Sequence, residues 1–187
     1  MTEFPLFLRI PVGDWIDGLV SWIVTNLGAV LDAIGDVLLA VLLAIERLLL
    51  WIPWFVIIIA VAFLAWYAIR KWWAAPLMGA FLLLIGTFGY WDLAMMTLAL
   101  IIAAVLLSLA IGIPTGIVMA RSDGFASLLR PILDAMQTMP SFVYLIPALM
   151  FFGLGKVPAV FATIIYAVPP VIRLTNVCLL YTSDAAD

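Results

Sequence analysis

Leu93 to Ala120 is the stretch that most narrows what this chain can become. It carries no charge, and as a helix rising roughly 1.5 Å per residue it is long enough to cross about 30 Å of hydrocarbon. Lipid offers no partner for a bare amide or carbonyl, so such a run has to close its own backbone hydrogen bonds as a helix. Similar runs occupy Leu48–Ile69, Ala74–Tyr90, a segment from Pro131 to Gly153-Leu-Gly155, and Val157–Ile172. The pattern predicts an all-α integral membrane protein with about five transmembrane helices. Composition agrees: 68% of the 187 residues are hydrophobic, 10% are charged and mean hydropathy is +1.31, whereas a soluble domain is about half apolar.

Several function classes lose their chemistry here. A net charge of −3 without a basic run leaves nothing to replace counterions around phosphates, so nucleic acid is not an expected partner. The chain has no histidine and one cysteine, Cys178, so an internal disulfide and most zinc or acid–base sites are ruled out. It has no phosphate-cradling glycine loop with Lys and Ser/Thr, no serine elbow and no HExxH. No catalytic residue, metal or cofactor is therefore assigned, and the chain is not expected to be an enzyme or to hydrolyse ATP by itself. An intramembrane enzyme built on Ser141, Tyr144 or Asp134 would lack a suitable base.

Residues 1–13, broken by Pro5, Pro11 and Gly13, read as an irregular start with no cleavable signal pattern, so the first span is expected to serve for insertion. Asp14, Gly18, Ser21, Thr25, Gly28, Asp32 and Gly35 recur at helical spacing opposite a Trp/Ile/Val/Leu face. This predicts an amphipathic interfacial helix over 14–46, with Asn26 and Gly28 as a candidate break. Trp51 and Trp54 mark one end of the first span, and Trp66, Trp72 and Trp73 the other. Two clusters one membrane thickness apart read as interfacial belts in preference to a cation-binding cage. Gly112-Ile-Pro114-Thr-Gly116 should bend or loosen the third span, as a packing kink or a hinge. Arg121–Arg130 reads as a polar loop, with Pro131 opening the fourth span and Asp134 able to face Arg130. If Arg70 and Lys71 are cytoplasmic, alternation puts Arg121, Arg130 and Arg173 inside as well. Arg47, Lys156, Asp92 and the N-terminal region are then extracytoplasmic.

Asp134, Gln137, Ser141 and Tyr144 form one polar stripe if the fourth span is a single helix. Pro140 and Pro147 each delete an i→i−4 bond, freeing the carbonyls of Met136 and Val143 for other partners. Pro169-Pro170 should end the fifth span. A polar stripe beside proline-loosened helices suits a permeation path, and helix packing accounts for it as well.

Longer strings go further. Asp134-Ala-Met-Gln137-Thr138-Met-Pro140-Ser-Phe-Val-Tyr144-Leu-Ile-Pro147, Phe151-Phe-Gly153-Leu-Gly155-Lys-Val-Pro158, Tyr166-Ala-Val-Pro169-Pro170-Val-Ile-Arg173-Leu-Thr-Asn176 and Ile111-Gly-Ile-Pro114-Thr-Gly116-Ile-Val-Met-Ala-Arg121-Ser122 closely resemble the permease subunit of bacterial glycine betaine/proline betaine ABC importers. The likeness is strong over about Trp91–Asn176 and looser before it. It implies the type I ABC importer fold, a homodimeric permease pair in the bacterial inner membrane, and alternating access. It also implies cytoplasmic ATPase subunits that bind the ATP and Mg, an extracytoplasmic substrate-binding protein, and a small osmolyte as cargo. Gln137, Thr138, Ser141 and Tyr144 are the expected path residues, with Pro114, Pro140, Pro147, Pro169 and Pro170 as kinks or hinges. A permease for choline or an amino acid is the near alternative; a stand-alone channel or secondary transporter is the distant one.

The family continues past the Asn176 string into a coupling helix with a Glu-Ala-Ala motif. This sequence reads Cys178-Leu-Leu-Tyr-Thr-Ser-Asp-Ala-Ala-Asp187 instead, which resembles a translated transposon-end sequencing adaptor. The expected organisation is an N-terminal extracytoplasmic or interfacial region (1–46), two transmembrane helices (47–90), a C-terminally truncated importer transmembrane domain (91–177) and an adaptor-derived tail (178–187).

Overall fold

A computed structural model describes residues 12–184, so most of the irregular start expected over 1–13 and the last three tail residues lie outside the described part, while Val12 and Gly13 are already helical. The described residues form helices α1 (Val12–Trp51), α2 (Trp54–Ile69), α3 (Ala74–Thr87), α4 (Trp91–Arg121), α5 (Asp123–Thr138), α6 (Phe142–Phe152) and α7 (Lys156–Asp184). Three of them are long and apolar enough to cross a membrane: Gly13–Trp51, Trp91–Arg121 and Lys156–Tyr181. The α5–α6 pair makes a fourth candidate, bent by 98°, and α2 and α3 are shorter apolar helices. The chain is thus a multi-pass, all-helical membrane protein.

Its boundaries depart from the sequence reading in ways that follow from proline and packing. The first expected span, Leu48–Ile69, is divided, because Pro53 has no amide to continue the helix and takes an extended conformation (φ −55°, ψ 135°) as the N-cap of α2. Leu48–Trp51 instead finish α1, which runs 40 residues through the boundary drawn at 46. Asn26 and Gly28 do not split it. The Asn26 amide donates to the Trp22 carbonyl at 2.8 Å and the Ser21 hydroxyl to Gly18 at 3.0 Å, so these side chains bond back onto their own helix. At the end of α2, Arg70 adopts a left-handed cap (φ 56°) and its amide bonds to the Trp66 carbonyl. α3 then returns beside α2, with Gly79 against Ile58.

The core is the pairing of α4 with α7. Ala99, Ala103, Ala104, Ser108, Gly112 and Gly116 are all buried on one face of α4. A Cβ at Gly112 would lie 2.6 Å from Val171 Cγ1, and one at Gly116 would lie 2.6 Å from Thr175 Cβ and 2.8 Å from the Ile172 carbonyl oxygen. Both contacts advance by four residues, so the helices run parallel and approach to backbone distance along a groove of small side chains. Leu38 and Leu42 of α1 join this core with Val160 and Ile164 of α7. A second cluster, Met119, Ala126, Leu133 and Ile172, fastens α5 to the far ends of α4 and α7.

This packing explains two further corrections. Gly112 and Gly116 are close-approach points against α7 in a helix that runs unbroken from Trp91 to Arg121, and Pro114 lies on its exposed side. Pro169 and Pro170 do not end α7, which continues to Asp184. Pro169 is buried, and contact with α4 on both sides holds the helix through the proline pair, at an intrinsic cost of about 3 kcal/mol for an interior proline.

Candidate functional site

The residues read as a polar stripe sit at the sharpest corner of the fold. The expected loop Arg121–Arg130 is helical, because the Ser122 hydroxyl accepts from the Phe125 amide at 3.3 Å and caps α5 there. Pro131 is therefore inside α5 and does not open a span. The helix ends at Thr138. Pro140 cannot supply the next amide and disfavours helical geometry at Met139, which is extended (ψ 137°). α6 then sets off at 98°. Gln137 and Thr138 are consequently on α5, while Ser141 and Tyr144 belong to the start of α6, and the four do not share one helix face.

What links the two arms is the carbonyl that Pro140 leaves open. The half-buried Tyr144 hydroxyl donates to the Met136 carbonyl across the bend, giving that oxygen the partner expected of it. Thr138 hydroxyl donates to the Ala135 carbonyl at 3.0 Å, and Gln137 is exposed. Pro147 lies within α6 without breaking it. Asp134 does not pair with Arg130. It pairs with Arg173 of α7, which ties the arm before the bend to the core.

Ser141 lines a groove of about 400 Å³ between α6 and α7, together with Phe142, Leu145, Ala162, Thr163 and Tyr166. Its polar groups are the Ser141, Thr163 and Tyr166 hydroxyls. Thr163 is held by a 2.7 Å bond to the Ala159 carbonyl. An apolar groove with a few hydroxyls offers weak, reversible contacts and no fixed charge, and no carboxylate or amine lines it to activate one of those hydroxyls. Among the described residues no group of His, Cys, Asp and Glu is placed to hold a metal. Thr163 and Tyr166 are three residues apart, within the helical spacing of three or four that marks Gln137, Ser141 and Tyr144 in the preceding span.

A second feature, the ion pair between Lys156 Nζ and Glu46 Oε2 at 2.7 Å, pins α1 to the start of α7. Sidedness was its one sequence signal, since alternation placed Arg47 and Lys156 on the same face. Parallel α4 and α7 likewise gather Asp92 and Lys156 at one end of the core and Arg121 and Arg173 at the other.

Two buried polar atoms, Ser108 Oγ and Asn176 Oδ1, have no hydrogen-bond partner among the described residues. The hydroxyl faces the α4–α7 contact, where such an atom costs about 1–3 kcal/mol.

Residues 112–183 match the family described as "Binding-protein-dependent transport system inner membrane component". The chain is 43% identical over 166 residues to a glycine betaine/proline betaine transport system permease protein of Escherichia coli, covering 89% of this chain and 47% of the relative. It is 42% identical over 167 residues to a glycine betaine transport system permease protein of Bacillus subtilis, covering 89% of this chain and 59% of the relative. A glycine betaine/carnitine transport permease protein of Listeria monocytogenes is 38% identical over 190 residues, covering 98% of this chain and 67% of the relative. The chain thus spans about half the length of the first two.

Proposed function

Because the chain belongs to the binding-protein-dependent transport system inner membrane component family, we propose that it is permease sequence of an ATP-driven importer of glycine betaine or proline betaine type osmolytes. The observation that carries this reading is identity of 38–43% to betaine permeases over about nine-tenths of the chain or more. In this reading the protein resides in a bacterial inner membrane with its N-terminus extracytoplasmic. It pairs with a second permease copy, receives cargo from an extracytoplasmic binding protein, and is driven by cytoplasmic ATPase subunits that hold ATP and Mg.

The α6–α7 groove fits such a cargo. A quaternary ammonium has no N–H to donate and its carboxylate accepts hydrogen bonds, so the Ser141 and Tyr166 hydroxyls suit the anionic end and the apolar wall suits the methyl groups. Gln137 and Thr138 stand at the mouth of the α5–α6 corner, and Tyr144 holds the corner's angle. The corner is the element that alternating access would move. The test is a chimera in which residues 14–177 replace the corresponding segment of the Escherichia coli relative, assayed for radiolabelled glycine betaine uptake in cells lacking other betaine carriers. Uptake that depends on the ATPase and binding protein supports the reading. A chimera that reaches the membrane at normal abundance yet transports nothing sinks it.

A relative from Ruegeria pomeroyi named for trimethylamine N-oxide transport, 35% identical over 96% of this chain, favours a second methylated-amine cargo. Competition of that solute against glycine betaine in the same uptake assay separates the two.

A further inference from the structure

The proline corner between α1 and α2 does more than end a helix. Pro53 turns the chain so that Trp51, from the last turn of α1, and Trp54, from the first of α2, border the same cleft as Trp91 at the start of α4. The cleft measures about 580 Å³, within the roughly 300–1,000 Å³ of small-ligand sites. Asp92 also lines it, and no Lys or Arg does. The Asp92 carboxylate has no ion-pair or hydrogen-bond partner among the described residues. The Thr87 hydroxyl, the other polar side chain in the wall, is already committed to the Leu84 carbonyl at 2.9 Å. At the Trp66/Trp72/Trp73 cluster the Lys71 ammonium stands 5.9 Å from the Trp73 ring, so that indole has a cation of its own.

An interfacial belt accounts for tryptophans at one membrane depth, and a helix N-terminus accounts for one aspartate. Neither accounts for three indoles from three helices around a single cavity with an unpaired carboxylate. We propose that this cleft binds a quaternary ammonium group. A primary ammonium brings three N–H donors, which a wall of indoles and aliphatic side chains leaves unmet. A tetraalkylated nitrogen brings none, and it is held by aromatic faces and a nearby negative charge. The source of the group is a free quaternary amine or the choline headgroup of a lipid. The inference does not rest on the transport reading, because the cleft shares no residue with the Ser141/Thr163/Tyr166 groove.

The test is equilibrium binding of radiolabelled tetramethylammonium to the purified chain in phosphatidylglycerol nanodiscs. Saturable binding is expected, displaced by unlabelled tetramethylammonium and by choline and not by 3,3-dimethylbutanol, the uncharged isostere of choline. Asp92→Asn and Trp91→Leu should each weaken it about fivefold or more, while Trp66→Leu leaves it unchanged. Asp92 is exposed, so Asp92→Asn keeps the test open if Trp91→Leu misfolds. Nanodiscs of phosphatidylcholine separate the sources: binding that is lost there assigns the cleft to a lipid headgroup, and binding that persists assigns it to a free amine. Absence of saturable binding in phosphatidylglycerol, equal displacement by the uncharged isostere, or unchanged affinity in Asp92→Asn would overturn the proposal.

Discussion

Replacing Gly116 with alanine puts the α4–α7 contact under the most direct load. The added methyl would stand 2.6 Å from Thr175 Cβ and 2.8 Å from the Ile172 carbonyl oxygen, where unstrained carbon contacts lie near 3.5–4.0 Å. The obstruction is partly backbone, so no rotamer change relieves it and the helices must separate by roughly 1 Å. Such overpacking costs about 1–3 kcal/mol, against a helix-propensity gain of about 1 kcal/mol for Gly→Ala. The net sign is destabilising. Gly112→Ala meets only side-chain atoms of Val171 below 3 Å, so its loss should be smaller. Gly28→Ala, with nothing within 4 Å, should keep the propensity gain and be neutral or stabilising. The assay is the midpoint of heat-induced loss of the monodisperse peak on size-exclusion chromatography in one detergent. The expected order of stability is Gly28→Ala, then Gly112→Ala, then Gly116→Ala. If Gly116→Ala melts with or above Gly28→Ala, the close parallel contact is refuted.

Three further outcomes follow from named contacts. Ser108→Ala removes a buried hydroxyl without a partner and should raise the same midpoint, by up to about 1 kcal/mol; a clear loss would mean the hydroxyl is satisfied. Glu46→Gln and Lys156→Met should each destabilise by an amount between the roughly 1 kcal/mol of an exposed pair and the 3–5 kcal/mol of breaking a buried one, and a double-mutant cycle should show coupling of α1 to α7. Tyr144→Phe strands the Met136 carbonyl, so hydrogen exchange at residues 139–144 should rise, whereas Gln137→Ala should lower uptake without changing exchange or membrane abundance.

The sequence was most legible where hydropathy alone decides. The helical class, the uncharged Leu93–Ala120 span and the open Met136 carbonyl all follow from apolar length and from what proline removes. Prolines were read too uniformly. Pro53 and Pro140 do break helices, while Pro114, Pro131, Pro147, Pro169 and Pro170 do not. What separates Pro169 from Pro53 is the α4 surface pressed against it, a contact between residues far apart in sequence. The single polar stripe failed for a related reason: spacing of three and four assumes one helix, and Pro140 divides that helix between Thr138 and Phe142. The partners of Asp134 and Glu46 lie 39 and 110 residues away, beyond the reach of any periodicity. The small-residue face of α4 is in plain view as Ala99, Ala103, Ser108, Gly112 and Gly116, although its packing partner, α7, is not.

The central claim, that the α5–α6 corner and α7 frame a path for a quaternary-ammonium solute, is tested most directly by thiol labelling. Cys178 is exposed and is first replaced by alanine. Ser141→Cys and Thr163→Cys are then treated in intact vesicles with a trimethylammonium methanethiosulfonate reagent, with and without glycine betaine. The account predicts that both positions react and that glycine betaine slows the reaction, while Val105→Cys, on the exposed face of α4, is not protected. Reaction at Ser141→Cys and Thr163→Cys that glycine betaine leaves unchanged, or no reaction at either, would contradict it.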